Sequence, residues 1–93
     1  MYITNIETLC EAIQCSLSGT LKGIYTLGVQ YHTPSLQIRI TIRFESGCTV
    51  YIKLKREEYK DLLDDNATEW DYGQFIAMIK DIIKEYILEQ YIR

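Results

Sequence analysis

Five carboxylates, Asp61, Asp64, Asp65, Glu69 and Asp71, crowd around the single tryptophan, Trp70. Carboxylates this dense either hold a hard cation or present negative charge to a basic partner. The cation reading fails on spacing. A calcium loop opening at Asp64 has oxygen donors at its first, third and fifth places. However, Glu69 stands where the sharp turn needs glycine, and Phe75 stands where a bidentate glutamate must close the shell. What remains is an acidic surface centred on an aromatic anchor, because tryptophan often anchors interfaces and carboxylates steer association with cationic partners. The plainer alternative is that the acids cap helix N-termini while Trp70 covers the core.

The opposite charge gathers elsewhere. Arg39, Arg43, Lys53 and Lys55 alternate with apolar residues, with Tyr51 among them and Gln30 and Gln37 at the rim. Paired strands place these side chains on one polar face, where the cations would contact phosphates while Tyr51 stacks on a base. Against this, an RNA-recognition sheet uses two or more aromatics, and only Tyr51 is expected on this face. A merely solvated face is the plain alternative. The formal net charge of −3 conceals this separation. Residues 1–56 hold six cations and three anions, a balance of +3, whereas residues 57–93 hold four cations and ten anions, a balance of −6.

Other chemistries find little support. The only histidine, His32, adjoins the Thr33-Pro34 turn on a polar face, away from any nucleophile, and reads as a solvated turn residue. Cys10, Cys15 and Cys48 make an odd set without Cys-x-x-Cys spacing, which matches neither a zinc site nor a disulfide framework. Cys10 and Cys48 fall on apolar positions and Cys15 on a partly exposed one. There is no glycine-rich phosphate loop, HExxH or GxSxG. No catalytic residue, metal or cofactor is therefore expected, and the chain reads as a non-enzymatic binding module. The N-terminus lacks a cationic segment before an apolar run and no stretch is long enough to span a bilayer, so a cytoplasmic protein with no membrane partner is expected.

The elements that must position these groups follow from periodicity. Ile6, Leu9, Cys10, Ile13 and Leu17 form one helical stripe over residues 5–17, with Thr4 and Glu7 at capping-box spacing and Gly19 as the stop. From Gly23 the period becomes two. Tyr25, Leu27, Val29 and Tyr31, then Leu36, Ile38, Ile40, Ile42 and Phe44, then Cys48, Val50, Ile52 and Leu54 supply the apolar faces of three strands. Glu45-Ser46-Gly47 suits a three-residue hairpin loop with glycine at positive φ. Pairing Phe44 with Cys48 sets Ile42, Ile40 and Ile38 against Val50, Ile52 and Leu54. In the first hairpin, Tyr31 against Leu36 sets Val29 and Leu27 against Ile38 and Ile40. Tyr59, Leu62 and Leu63 mark a short helix. Asp71 with Gln74 opens a long helix from Tyr72 to about Ile92, whose stripe runs through Phe75, Ile76, Ile79, Ile82, Ile83, Tyr86 and Ile87. Met78, Leu88, Tyr91 and Ile92 fall partly outside that stripe, which favours a homodimer or a partner groove. The fold class is α+β in one domain, residues 1–93: a three-stranded antiparallel meander covered on one face by helices, in the order α-β-β-β-α-α.

In its size, its acidic C-terminal helical half and the order in which MYITNIETLCEAIQ precedes the meander, the chain resembles small phage-encoded inhibitors of bacterial defence, the anti-CRISPR proteins. The resemblance lies in layout along the whole chain and in no single motif. It implies that Asp61, Asp64, Asp65, Glu69 and Asp71 mimic phosphates on a cationic surface of a nucleic-acid-binding nuclease. The leading expectation is thus an inhibitor or immunity-type protein that docks on a basic partner through Asp61, Asp64, Asp65, Glu69, Trp70 and Asp71. The alternatives are a nucleic-acid-binding module using Arg39, Arg43, Tyr51, Lys53 and Lys55, or an assembly subunit that dimerises through its last helix.

Overall fold

A computed structural model describes residues 5–92, without the side chains of Tyr91 and Ile92. Helix α1 spans Ile6–Thr20; strands β1, β2 and β3 span Ile24–His32, Gln37–Phe44 and Thr49–Leu54; a short α2, Arg56–Tyr59, runs into a 3-10 turn at Lys60–Leu63; and α3 spans Glu69–Ile92. The sheet is an antiparallel meander in the order β1-β2-β3. The α+β architecture and its long last helix agree with the sequence pattern.

The helix ends differ from expectation, each for a local reason. The proposed cap Thr4 lies outside the described residues. The observed cap of α1 is Asn5, whose Oδ1 accepts the Thr8 N–H at 2.8 Å. Gly19 does not stop the helix, which continues to Thr20; the Thr20 hydroxyl donates back to the Ser16 carbonyl, and the positive φ falls at Gly23. Helix α3 begins three residues before Tyr72. Thr68 and Asp71 form the reciprocal cap there: the Asp71 carboxylate accepts from the Thr68 N–H at 2.9 Å, and the Thr68 hydroxyl accepts from the Asp71 N–H at 3.2 Å.

Hairpin β2–β3 has the expected register, Ile42 against Val50, Ile40 against Ile52 and Ile38 against Leu54, with Gly47 at φ 93° in the loop. In β1–β2 the pairing is displaced by two residues: Tyr31 faces Ile38, Val29 faces Ile40 and Leu27 faces Ile42. The cause is the connection. Thr33–Ser35 form a 3-10 turn that ends at Leu36, which adopts φ 54° and leaves the strand half-exposed. A shift of two preserves which face is apolar, so the core is the same in either pairing.

That core is a single cluster. Leu9, Ile13 and Leu17 of α1, Ile38, Ile40 and Ile42 of β2, Val50 and Leu54 of β3, and Ile79 and Ile83 of α3 are all essentially inaccessible to solvent. Of the expected α3 stripe, Phe75, Ile76, Ile79 and Ile83 are buried, Ile82 and Ile87 are partly buried, and Tyr86 is exposed. Twenty-four residues make α3 about 36 Å long, and beyond Ile83 its exposed side chains include Leu88.

Two tyrosine hydroxyls tie the helices to their surroundings. Tyr59 donates to the Leu36 carbonyl at 3.0 Å, and the Tyr72 hydroxyl shares a 2.7 Å hydrogen bond with Ser16, joining α3 to α1. Burial pushes the pKa of both phenols up from the ordinary value near 10. The folded state therefore holds these protons to higher pH than the unfolded chain does. Their contribution is complete below pH about 10 and declines as pH rises past it. Tyr59→Phe is expected to cost about 0.5–1.5 kcal/mol at neutral pH by losing the bond to Leu36. It should also flatten the alkaline decline in urea-midpoint measurements as pH rises from about 9.5 to about 11.5.

Candidate nucleic-acid interface

Among the described residues, all the helices pack on one face of the sheet and leave the other uncovered. On that outer face the register builds rows across the strands: Thr26, Arg43 and Thr49; then Gly28, Thr41 and Tyr51; then Gln30, Arg39 and Lys53. No aspartate or glutamate occurs in any of the three strands. The middle row is a trough. Gly28 contributes no side chain, a Cβ placed there would meet nothing within 4 Å, and Thr41 is small. One cationic row flanks the trough on each side, and Tyr51, 61 % exposed, stands at its β3 end.

A second aromatic reaches the same face. Tyr25 was expected in the core but is 67 % exposed. Ile24 pairs with Phe44 and Thr26 with Arg43, so β1 advances two residues while β2 advances one. Tyr25 is the extra residue of a β-bulge, and the bulge turns it outward. The Arg43 guanidinium lies 5.8 Å from the Tyr25 ring centroid, which places the ring on the outer face. Tyr25 and Tyr51 thus rise from the two edge strands, separated by two strand spacings of about 4.8 Å each.

Arg39 adds an unusual feature. Its Nε–H is buried and has no hydrogen-bond partner among the described residues. An unsatisfied donor of this kind costs about 1–3 kcal/mol. Lys53 is exposed. Lys55 lies one residue past β3, and its own backbone N–H donates to the Glu58 carboxylate at 3.0 Å. It therefore sits beside an anion and belongs to the start of α2 more than to the cationic face.

The acidic group has a different character. Asp61, Asp64, Asp65, Glu69 and Asp71 are all exposed, and two of them serve local turns: Asp64 accepts from the Asn66 N–H at 2.9 Å, and Asp71 caps α3. Trp70 does not cover the core. It lies in the first turn of α3 and is 71 % exposed. Of the two parts of the plain alternative, helix capping thus applies to Asp71 and core covering does not apply to Trp70.

His32 is half-buried at the end of β1, its Nδ1 2.6 Å from the Ser35 hydroxyl across the turn. Cys10 is buried, Cys48 is intermediate and Cys15 is exposed. Burial, reinforced by the nearby Glu7 carboxylate, pushes the Cys10 thiol up. Alkylation of native protein with iodoacetamide at pH 8 is expected to modify Cys15 first. Cys10 should react at least about 100-fold more slowly, because it is both shielded and deficient in thiolate. Peptide mass mapping over time reads the order.

No protein-family model, curated protein or solved structure matches this chain. No helix among the described residues is long and apolar enough to cross a membrane.

Proposed function

We propose that this protein is a binding module, without catalytic activity of its own, that holds single-stranded nucleic acid along the uncovered sheet face. One observation carries the reading: a three-stranded face with two exposed tyrosines and three cations but no carboxylate. A solvated face with no ligand has no reason to exclude acids, since mixed charges serve solubility better. Phosphates would contact Arg39, Arg43 and Lys53, while Tyr25 and Tyr51 offer planes on which bases stack. The open trough at Gly28 and Thr41 lets a ligand approach the backbone between them. Such binding would be tolerant of sequence, because stacking and phosphate contacts carry little base information.

Fluorescence polarisation with a labelled oligothymidylate at several salt concentrations tests this. Three phosphate contacts on a single strand predict a slope of about −2 in log K against log salt. Tyr51→Ala is expected to lose about 1–3 kcal/mol of binding. Absence of salt-sensitive binding at low ionic strength would remove the reading.

The exposure of Trp70 favours a second reading, in which the acidic group with Trp70 at its centre docks on a basic protein surface. The anti-CRISPR proteins, which the chain resembles in layout, suggest a nuclease groove as such a surface. Replacing Asp64 and Asp65 by asparagine and Glu69 by glutamine should then weaken a salt-sensitive protein complex. Unchanged partner retention by that triple variant counts against it. Homodimerisation through α3 would rest on Leu88 and Tyr86, and light scattering at micromolar concentration reads it directly.

A further inference from the structure

The open edge of β1 is the most distinctive feature that the sheet-face reading leaves unused. The Phe44 N–H donates to the Cys48 carbonyl at 2.9 Å, so Phe44, Ile42, Ile40 and Ile38 bond toward β3. By antiparallel alternation, Arg43, Thr41 and Arg39 bond to Thr26, Gly28 and Gln30. The backbone N–H and C=O groups of Leu27, Val29 and Tyr31 therefore point away from the sheet. Edges are commonly guarded by lysine, proline or inward charges. Strand β1, IYTLGVQYH, carries no Lys, Arg, Asp, Glu or Pro across nine residues, and its one guarding device, the bulge at Tyr25, lies at the end away from Val29 and Tyr31. The other edge is better protected: β3 carries Lys53, and the Gln90 amide donates to the Thr49 carbonyl at 3.0 Å.

Beside the bare edge runs a groove of about 490 Å³ between β1 and α1. Val29, Gln30 and Tyr31 form its strand side, and Glu7, Glu11 and Gln14 form its helix side. Those two carboxylates stand one helical turn apart, and the groove lining contains no cation among the described residues. We infer that this groove binds an extended cationic peptide segment of another protein, which adds as a fourth strand to β1 and directs alternate Lys or Arg side chains at Glu7 and Glu11. Main-chain hydrogen bonds to Leu27, Val29 and Tyr31 supply affinity, and the two carboxylates select charge. A second copy of the chain fits less well, because pairing β1 with β1 would bring like carboxylates of both α1 helices toward each other.

The inference is independent of the nucleic-acid reading, since it uses the sheet edge and not the sheet face. The probe is a fluorescein-labelled octapeptide that alternates lysine with valine or threonine, compared with its glutamate-for-lysine counterpart. Two further versions are N-methylated at alternate residues, one in each phase. The lysine peptide should bind, with slowed hydrogen exchange at the Leu27, Val29 and Tyr31 amides. The glutamate peptide should bind at least tenfold more weakly. N-methylation in one phase should abolish binding and in the other leave it nearly intact, because only alternate amides face β1. Glu7→Gln with Glu11→Gln, both exposed positions, should weaken the lysine peptide at least tenfold without altering the fold. Equal binding by both N-methylated peptides, or by the glutamate peptide, would overturn the inference. So would shifts confined to residues 61–71, or edge protection that appears without peptide and rises with protein concentration.

Discussion

Replacing Arg39, Arg43 and Lys53 together by glutamine is expected to lower affinity for a single-stranded oligonucleotide about 100-fold or more at low salt and to bring the salt slope close to zero. Each lost phosphate contact removes about 0.7 from that slope, so three contacts account for about 2. The fold should withstand the change. All three side chains stand on the uncovered face, and Arg39 loses a buried N–H that has no partner among the described residues. Thermal midpoints within a few degrees of the parent protein would separate lost binding from lost structure. Lys55→Gln is the internal comparison, because Lys55 adjoins the Glu58 carboxylate and is expected to contribute much less.

The second large effect concerns the core. Ile40→Ala is expected to destabilise the protein by about 2–5 kcal/mol, through lost transfer energy plus the cavity left behind. Ile40 lies at the middle of the central strand with Val29 and Ile52 as its cross-strand neighbours, all three of them buried. Neighbours held on both sides by strands leave little room for collapse, which favours the upper part of that range. A domain of 93 residues has a total stability of about 5–14 kcal/mol, so a large fraction is at stake. The midpoint should fall by roughly 8–40 °C, at about 4–8 °C per kcal/mol for a domain of this size. Urea titration with an unchanged slope would confirm that the loss is one of stability and not of cooperativity.

The sequence disclosed the layers of this fold more fully than it disclosed the working surface. Period-two and helical patterns were enough to place Ile38, Ile40, Ile42, Val50 and Leu54 inside, because alternation decides which face of each strand is apolar and that face must be covered. The β1–β2 pairing slipped by two residues because alternation fixes the face of a strand but not its offset. The turn that decides the offset depends on Leu36 adopting a left-handed conformation, which few sequences would announce.

Tyr25 shows the same limit at the candidate site. It stands in phase with Leu27, Val29 and Tyr31, and alternation alone sends it into the core. The available signal was its neighbour. Ile24 is also apolar and one step out of phase, and both can be accommodated only if β1 carries an extra residue. The bulge resolves the conflict by giving Ile24 to the core and Tyr25 to the outer face. Trp70 was legible as an anchor but not in its position: a helix from Tyr72 leaves it in a loop, whereas the Thr68–Asp71 cap carries it into the first helical turn, on an exposed side. Arg39, Arg43, Tyr51 and Lys53 were legible because period two and a carboxylate-free run are properties of composition and spacing alone.

The central claim is that the uncovered sheet face is the working surface, and nitrogen-15 NMR titration with an unlabelled octathymidylate tests it most directly. The account predicts progressive shifts at the amides of Tyr25, Thr26, Gly28, Thr41, Arg43, Tyr51 and Lys53, suppressed by salt, with residues 61–71 unmoved. An unperturbed sheet face at millimolar oligonucleotide and low salt would contradict it.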